Sequence, residues 1–183
     1  FISNSTVTNY PPKNEKIVAF GDSLVFGQGA TEGNDFVSLL SQKLGRPIIN
    51  LGVSGNTTAD GRRRIQDVLD VDPGIVIILL GGNDGLRRIS KGTMRTNLEA
   101  IVKKCVEQGA VVVLLGVRGG LLVDEREAIY QEVSGMYGAV YVEDVLDGIF
   151  LKPELMFDGI HPNDVGYARI AERLYKVFVK NKL

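Results

Sequence analysis

The run Ile17-Val18-Ala19-Phe20-Gly21-Asp22-Ser23-Leu24 decides the fold. Four apolar residues with no polar alternation read as a strand covered on both faces, as in a parallel sheet. The run breaks at Gly-Asp, which is turn chemistry, and delivers the chain to a serine. Similar apolar runs, rich in Val and Ile and expected to be covered on both faces, return at 48–51, 75–80, 111–115 and 139–142. Between them, segments 35–44, 58–69, 94–108 and 124–137 carry helix-like apolar spacing. A last segment, 164–179, repeats apolar residues at Ile170, Ala171, Leu174, Val177 and Phe178. Lys176 and Lys180 stand near its C-terminal end, where the helix dipole favours cations. This β-α-β-α alternation predicts an α/β fold, a three-layer α/β/α sandwich around a five-stranded parallel sheet. Right-handed crossovers leave few topologies, and the flavodoxin-like order 2-1-3-4-5 is the expected one.

Composition narrows the function classes. The chain has 183 residues, enough to bury a real core in one domain. A formal net charge of -1 argues against a general nucleic-acid binder, which needs a basic excess to neutralise phosphates. The longest apolar runs, at 75–80 and 111–115, are far too short to span a bilayer, so no integral membrane segment is expected. Cys105 is the sole cysteine, which excludes an intrachain disulfide and a cysteine-based metal site. Its place in a predicted helix makes it a small buried hydrophobe.

Residues 17–183 read as one domain, with no internal repeat and no linker to a second domain. Residues 1–16 read as a polar N-terminal extension or tether, rich in Ser, Thr and Asn before Pro11-Pro12. The chain opens on Phe1 rather than Met, so a processed or truncated product is expected. Removal of a signal peptide or anchor and a trimmed boundary account for this equally well. An exported location, periplasmic or extracellular, is favoured over the cytoplasm, and the expected state is a monomer or weak dimer. Asn4-Ser5-Thr6 and Asn56-Thr57-Thr58 match the glycosylation pattern, which is common by chance.

The chemistry converges on one residue. His161 is the only histidine, in Asp158-Gly159-Ile160-His161-Pro162. A nucleophilic serine needs a base to take its proton, and the base needs a carboxylate to fix its tautomer. Ser23 follows the first strand, Gly52 ends the second in Gly52-Val53-Ser54-Gly55-Asn56, and Asn83 follows the third in Gly81-Gly82-Asn83-Asp84. In a sheet of this topology all three loops open onto the same rim, where ligands collect. Asp158 and His161 precede the last helix, which can return them to that rim. The Ser23 N–H, the Gly52 N–H and the Asn83 amide are candidate donors for a developing oxyanion.

These four blocks, in this order, resemble those of the SGNH (GDSL-type) hydrolases, from about Ile17 to the last helix. Gly82-Asn83-Asp84-Gly85-Leu86-Arg87 and Leu151-Lys152-Pro153 are most similar to bacterial arylesterases and multifunctional acyl thioesterase/lysophospholipases. The resemblance implies Ser23 as nucleophile, His161 as base and Asp158 as its partner. It implies an oxyanion hole of Ser23, Gly52 and Asn83, with no metal and no cofactor. The implied partner is a small acyl ester or thioester. Segment 117–123 departs from the thioesterase branch, lacking an expected stretch with proline and tyrosine. Leu121, Leu122 and Val123 in it either line an apolar acyl site or cap the core.

Other motifs have blander readings. Gly-Asp-Ser-Leu alone is weak, since Gly-Asp is turn chemistry and Ser caps helices. The joint placement of four blocks gives it meaning. The Gly-x-Ser-x-Gly elbow is absent because Val25 holds its last position. Asp22 and Asp84 read as turn acceptors for backbone N–H groups. Arg62-Arg63-Arg64 and Arg87-Arg88 could attract anionic substrates, though a solvated helical face is the commoner role. Two alternatives stay open: a carbohydrate O-acetyl esterase on the same site, and a flavodoxin-like nucleotide-binding module at the same rim.

Overall fold

The computed structural model of the chain describes residues 7–118 and 126–183. Five strands form one sheet: β1 (Ile17–Gly21), β2 (Ile48–Gly52), β3 (Ile75–Leu79), β4 (Val111–Leu115) and β5 (Val140–Val142). All neighbours are parallel and the order is β2-β1-β3-β4-β5, as the alternation predicts. Gly21 lies level with Gly52 on one side and with Leu79 on the other, so three strands end together at one rim.

The helices are α1 (Ser23–Phe26), α2 (Phe36–Leu44), α3 (Thr58–Arg63), α4 (Gln66–Val71), α5 (Gly82–Leu86), α6 (Lys91–Glu107), α7 (Arg126–Tyr137) and α8 (Asp164–Asn181). One layer pairs α2 with α8, and in the other α6 packs against both α3 and α7. Side chains cap these helices where the chain turns. Asp35 accepts from the Val37 and Ser38 N–H groups, and Ser90 from Thr93 N–H. Thr57 and Asp60 form a reciprocal capping box on α3. The Ser90 cap explains why α6 begins at Lys91, ahead of the residue 94 that apolar spacing suggests.

Three differences from the sequence reading have physical causes. The segment 58–69 is two short helices, because Arg64 is drawn inward. Its guanidinium donates to the Gly21 carbonyl at 2.7 Å and the Asn56 side chain at 2.6 Å, and lies 4.2 Å from the Phe20 ring centroid. Coverage on both faces holds for β1, β3 and β4, which are wholly buried, but not for the edge strand β2. There Ile49 and Asn50 are exposed, with Asn50 donating to the Val25 carbonyl. Finally, residues 7–16 are docked on the domain rather than free. Asn9 donates to the Val106 and Ala110 carbonyls, Thr8 N–H to Gly138, and Lys13 to Asp72 and the Gln108 carbonyl.

The core is continuous from Ile17 to Phe178 and includes Cys105, whose burial pushes its thiol up to about 12. At the rim the packing is tight around Gly21, where an added Cβ would collide with the Leu79 carbonyl oxygen and a Val25 methyl. Gly135, within α7, has ordinary helical backbone and open space around it. Gly21→Ala should therefore lower unfolding free energy by about 1–3 kcal/mol or more. Gly135→Ala should raise it by roughly 0.5–1 kcal/mol by removing unfolded-state freedom. Urea unfolding of both variants checks the contrast in sign.

Candidate active site

The end of β1 sets the serine. Asp22 caps α1 by accepting Leu24 N–H at 3.0 Å, so Ser23 is the first helical residue. At that position no intrahelical partner exists for the Ser23 N–H. The loop before α8 sets the histidine. Asp158 Oδ1 accepts from the Ile160 N–H at 2.8 Å and the His161 N–H at 2.7 Å. Its Oδ2 lies 2.8 Å from His161 Nδ1. His161 Nε2 in turn lies 2.9 Å from Ser23 Oγ, across 138 residues of chain. With a carboxylate accepting at Nδ1, the imidazole proton sits there and Nε2 is the acceptor for the serine hydroxyl.

Further contacts hold the two segments together. Asn163 caps α8 by accepting from Val165 and Gly166 N–H, and donates back to the Glu154 carbonyl at 3.0 Å. Asp164 binds Thr31 N–H and its hydroxyl, both at 2.7 Å. Tyr167 donates its hydroxyl to the Gln28 carbonyl at 2.8 Å. The loop that follows Ser23 is thereby bolted to the start of α8. Gly29, at φ 93°, permits the close approach, since a Cβ there would stand 2.7 Å from the Pro162 carbonyl oxygen.

The two carboxyls beside Ser23 and His161 differ. Burial works against ionisation of Asp158, but hydrogen bonds from the His161 ring and two N–H groups outweigh it and hold its carboxyl below the usual value. Asp22 is 2 % exposed, and burial pushes its carboxyl up to about 7 against the single N–H it accepts from a neighbour. Asp84 is fully buried and accepts from Thr58 N–H at 2.9 Å and from the Thr58 hydroxyl at 2.5 Å. Asp22 thus serves the turn-acceptor role read from the sequence, whereas Asp84 reaches across to the start of α3 and ties it to α5 instead of closing its own turn.

Not every expected residue stands as foreseen. Asn83 reaches the rim, where one amide hydrogen goes to the Asn56 carbonyl at 2.9 Å and the other has no partner among the described residues. Gly52 differs from expectation: its N–H is taken by Asn50 Oδ1 at 2.9 Å, and a Cβ there would collide with the backbone of α1. Its glycine character therefore serves packing. The turn Val53–Asn56 closes by Asn56 N–H to the Val53 carbonyl, with Gly55 at φ 80°. Gly55 N–H has no intramolecular acceptor among the described residues and adjoins the residue that anchors Asn83. The clue in the sequence was the second glycine of Gly-Val-Ser-Gly, at the position a turn of this kind needs.

An open cleft contains Ser23, Asn83 and His161. Its apolar wall is built by Leu24, Leu86, Val117, Leu146, Phe150 and Ile160. Leu121, Leu122 and Val123, expected to line an acyl site, lie outside the described residues. Leu146 and Phe150 were not foreseen, although the apolar stretch Val145-Leu146 and Ile149-Phe150-Leu151 before the Asp-His block marks that segment. Arg62 and Arg63 bind Asn97 and Asp60, and Arg64 faces inward, so this run offers no anion site.

The chain is similar to several known proteins. An arylesterase of Vibrio mimicus is 32% identical over 92% of this chain and 90% of its own. Esterase TesA of Pseudomonas aeruginosa is 28% identical over 88% of this chain and 86% of its own. The crystal structure of the psychrotrophic esterase EstA from Pseudoalteromonas sp., inhibited by monoethylphosphonate, superposes with a TM-score of 0.83 at 28% identity. It covers 91% of this chain and 98% of that one. Residues 19–169 match the family described as GDSL-like Lipase/Acylhydrolase. With that match spanning the sheet, the serine turn and the Asp-His loop, the chain belongs to the GDSL-like lipase/acylhydrolase family.

Proposed function

We propose that this carboxylic ester hydrolase cleaves small acyl esters and thioesters by two-step acyl transfer through Ser23, His161 and Asp158. The observation that carries the proposal is the continuous chain of contacts from Asp158 Oδ2 through His161 to Ser23 Oγ, at 2.8 and 2.9 Å. His161 Nε2 takes the hydroxyl proton as Oγ attacks the carbonyl carbon, and Asp158 stabilises the imidazolium. The oxyanion of the tetrahedral intermediate accepts from Ser23 N–H, the free amide hydrogen of Asn83 and Gly55 N–H, which takes the role expected of Gly52. Collapse expels the alkoxide or thiolate with the proton from Nε2. Water then enters, loses its proton to His161 and releases the acid by the reverse sequence.

The apolar wall of the cleft favours an acyl chain over an acetylated sugar, whose hydroxyls would find few partners on Leu146, Phe150 and Ile160. The nucleotide-binding alternative goes against the family membership. Inhibition of the Pseudoalteromonas esterase by a phosphonate supports the same kind of serine chemistry here.

Ser23→Ala and His161→Ala should each lower kcat on an aryl acetate by about 10⁴-fold or more while circular dichroism stays unchanged. A Ser23→Ala protein with normal turnover would sink the assignment. Asn83→Ala should cost roughly 10²–10³-fold in kcat. A phosphonate ester should label the wild type once, with the added mass on the Ser23 peptide. On a panel of aryl esters, acyl thioesters and acetylated xylo-oligosaccharides, Phe150→Ala should move the preference toward longer acyl chains by roughly tenfold in kcat/KM. An unchanged chain-length profile would count against Phe150 as part of the acyl wall.

The raised Asp22 carboxyl gives a stability test. Unfolded, it ionises near 3.8, whereas folded it holds its proton to about 7. As pH rises through that window the unfolded state gives up a proton that the folded state keeps, so Asp22 progressively disfavours folding. Asp22→Asn keeps the Leu24 acceptor and lacks the titration. Its stability relative to wild type should climb between those pH values and level off above them, as read by urea midpoints at constant salt.

A further inference from the structure

Seven of the eleven exposed large apolar side chains among the described residues stand on one edge of the molecule, the edge that carries the catalytic mouth. They are Phe26 at the end of α1, Val53 after β2, Leu86 at the end of α5, Leu151, Phe157, Ile160 and Val165. Contacts tie several of them into a rim. Gly52, the neighbour of Val53, packs on the Phe26 backbone, and Phe157 packs over Gly29 on the loop after α1. Arg87, next to Leu86, donates to the Gly55 carbonyl at 2.9 Å. Phe157 N–H donates to the His161 carbonyl at 2.8 Å.

Substrate in the cleft does not account for this pattern. Leu86 and Ile160 line the cleft, but Phe26, Val53 and Phe157 do not. Phe26 and Phe157 are 58% and 63% exposed, a large apolar area to leave in water around one opening. Cations are interleaved with these side chains: Arg87 and Arg88 follow Leu86, and Lys152 follows Leu151. Of the carboxylates on the same loops, Asp158 is held by His161 and Asp164 by Thr31, which leaves Glu32, Asp147 and Glu154 open to solvent. Apolar side chains that can enter an acyl layer, flanked by arginines at headgroup depth, are the chemistry of an interfacial contact.

We propose that this rim is a docking surface for an anionic lipid interface, which presents the mouth of the cleft to the surface of an aggregated amphiphile. The proposal rests on the esterase reading for its purpose but not for its test. Vesicle binding needs no turnover, so it is measured with the Ser23→Ala chain and with wild type alike. The probe is sedimentation with phosphatidylcholine vesicles, with and without about one quarter phosphatidylglycerol. Binding should be strongest with phosphatidylglycerol and weaken at high salt. It should fall roughly tenfold or more in Phe26→Ser/Phe157→Ser, and roughly tenfold in Arg87→Gln/Arg88→Gln. Hydrolysis of a water-soluble acetate by Phe26→Ser alone should match wild type, which separates docking from substrate contact. Failure of wild type to sediment with either vesicle would overturn the docking surface even if the acetate is cleaved. So would equal binding by the variants, or a concentration-dependent dimer abolished by them without vesicle binding, which would assign the rim to a second copy. An inactive wild type that still binds vesicles would instead remove the esterase reading and leave the docking surface standing.

Discussion

The hydrogen bond between Ser23 Oγ and His161 Nε2 makes a demand on the whole chain, because its two ends are 138 residues apart. Nothing local can meet that demand. A parallel sheet does so by ending β1, β2 and β3 at one level, with Gly21 opposite both Gly52 and Leu79. The last helix then has to bring its own N-terminal loop to the same level. It is held there by polar contacts from Asp164 to Thr31 and from Tyr167 to Gln28, and by the apolar packing of α2 on α8. Burial of Phe36, Tyr167, Ile170 and Leu174 supplies the cohesion, and the polar contacts supply the register.

Electrostatics divides the labour between carboxyls of similar chemistry. Asp158 has three donors, two backbone and one imidazole, and they overcome the cost of its partial burial. Asp22, one residue before Ser23, has far less compensation and is far more deeply buried, and its proton is correspondingly harder to remove. Hydrogen-bond count against desolvation decides each case. Position relative to the serine does not.

The sequence made the sheet legible because Val- and Ile-rich runs admit few other interpretations, and the strand order followed from chirality and short connections. The loop that meets Ser23 was legible because only one histidine is present, and that ring lies 2.9 Å from Ser23 Oγ. Short elements were not. Four-residue α1 and five-residue α5 contain too few turns for a period of 3.6 to register. The split of segment 58–69 depended on Arg64 finding Gly21 and Asn56, partners that only the tertiary fold brings near. Gly52 was mistaken for a free donor because a glycine at a strand end serves equally for close packing. The Asn50 side chain that occupies its N–H lies only two residues back, a local competition that spacing alone does not reveal. Leu146 and Phe150 escape a reading by periodicity because they sit in an irregular segment whose apolar residues follow no period.

His161 and Asp158 are joined by bonds that span two or three residues, from Asp158 to the N–H groups of Ile160 and His161 and to the imidazole. Their mutual geometry is thus a property of a tight loop, whereas their distance from the serine is a property of the fold. A displacement of α8 against α2 would therefore act on the distance from His161 to Ser23 and leave the contacts within the Asp158–His161 loop as they are.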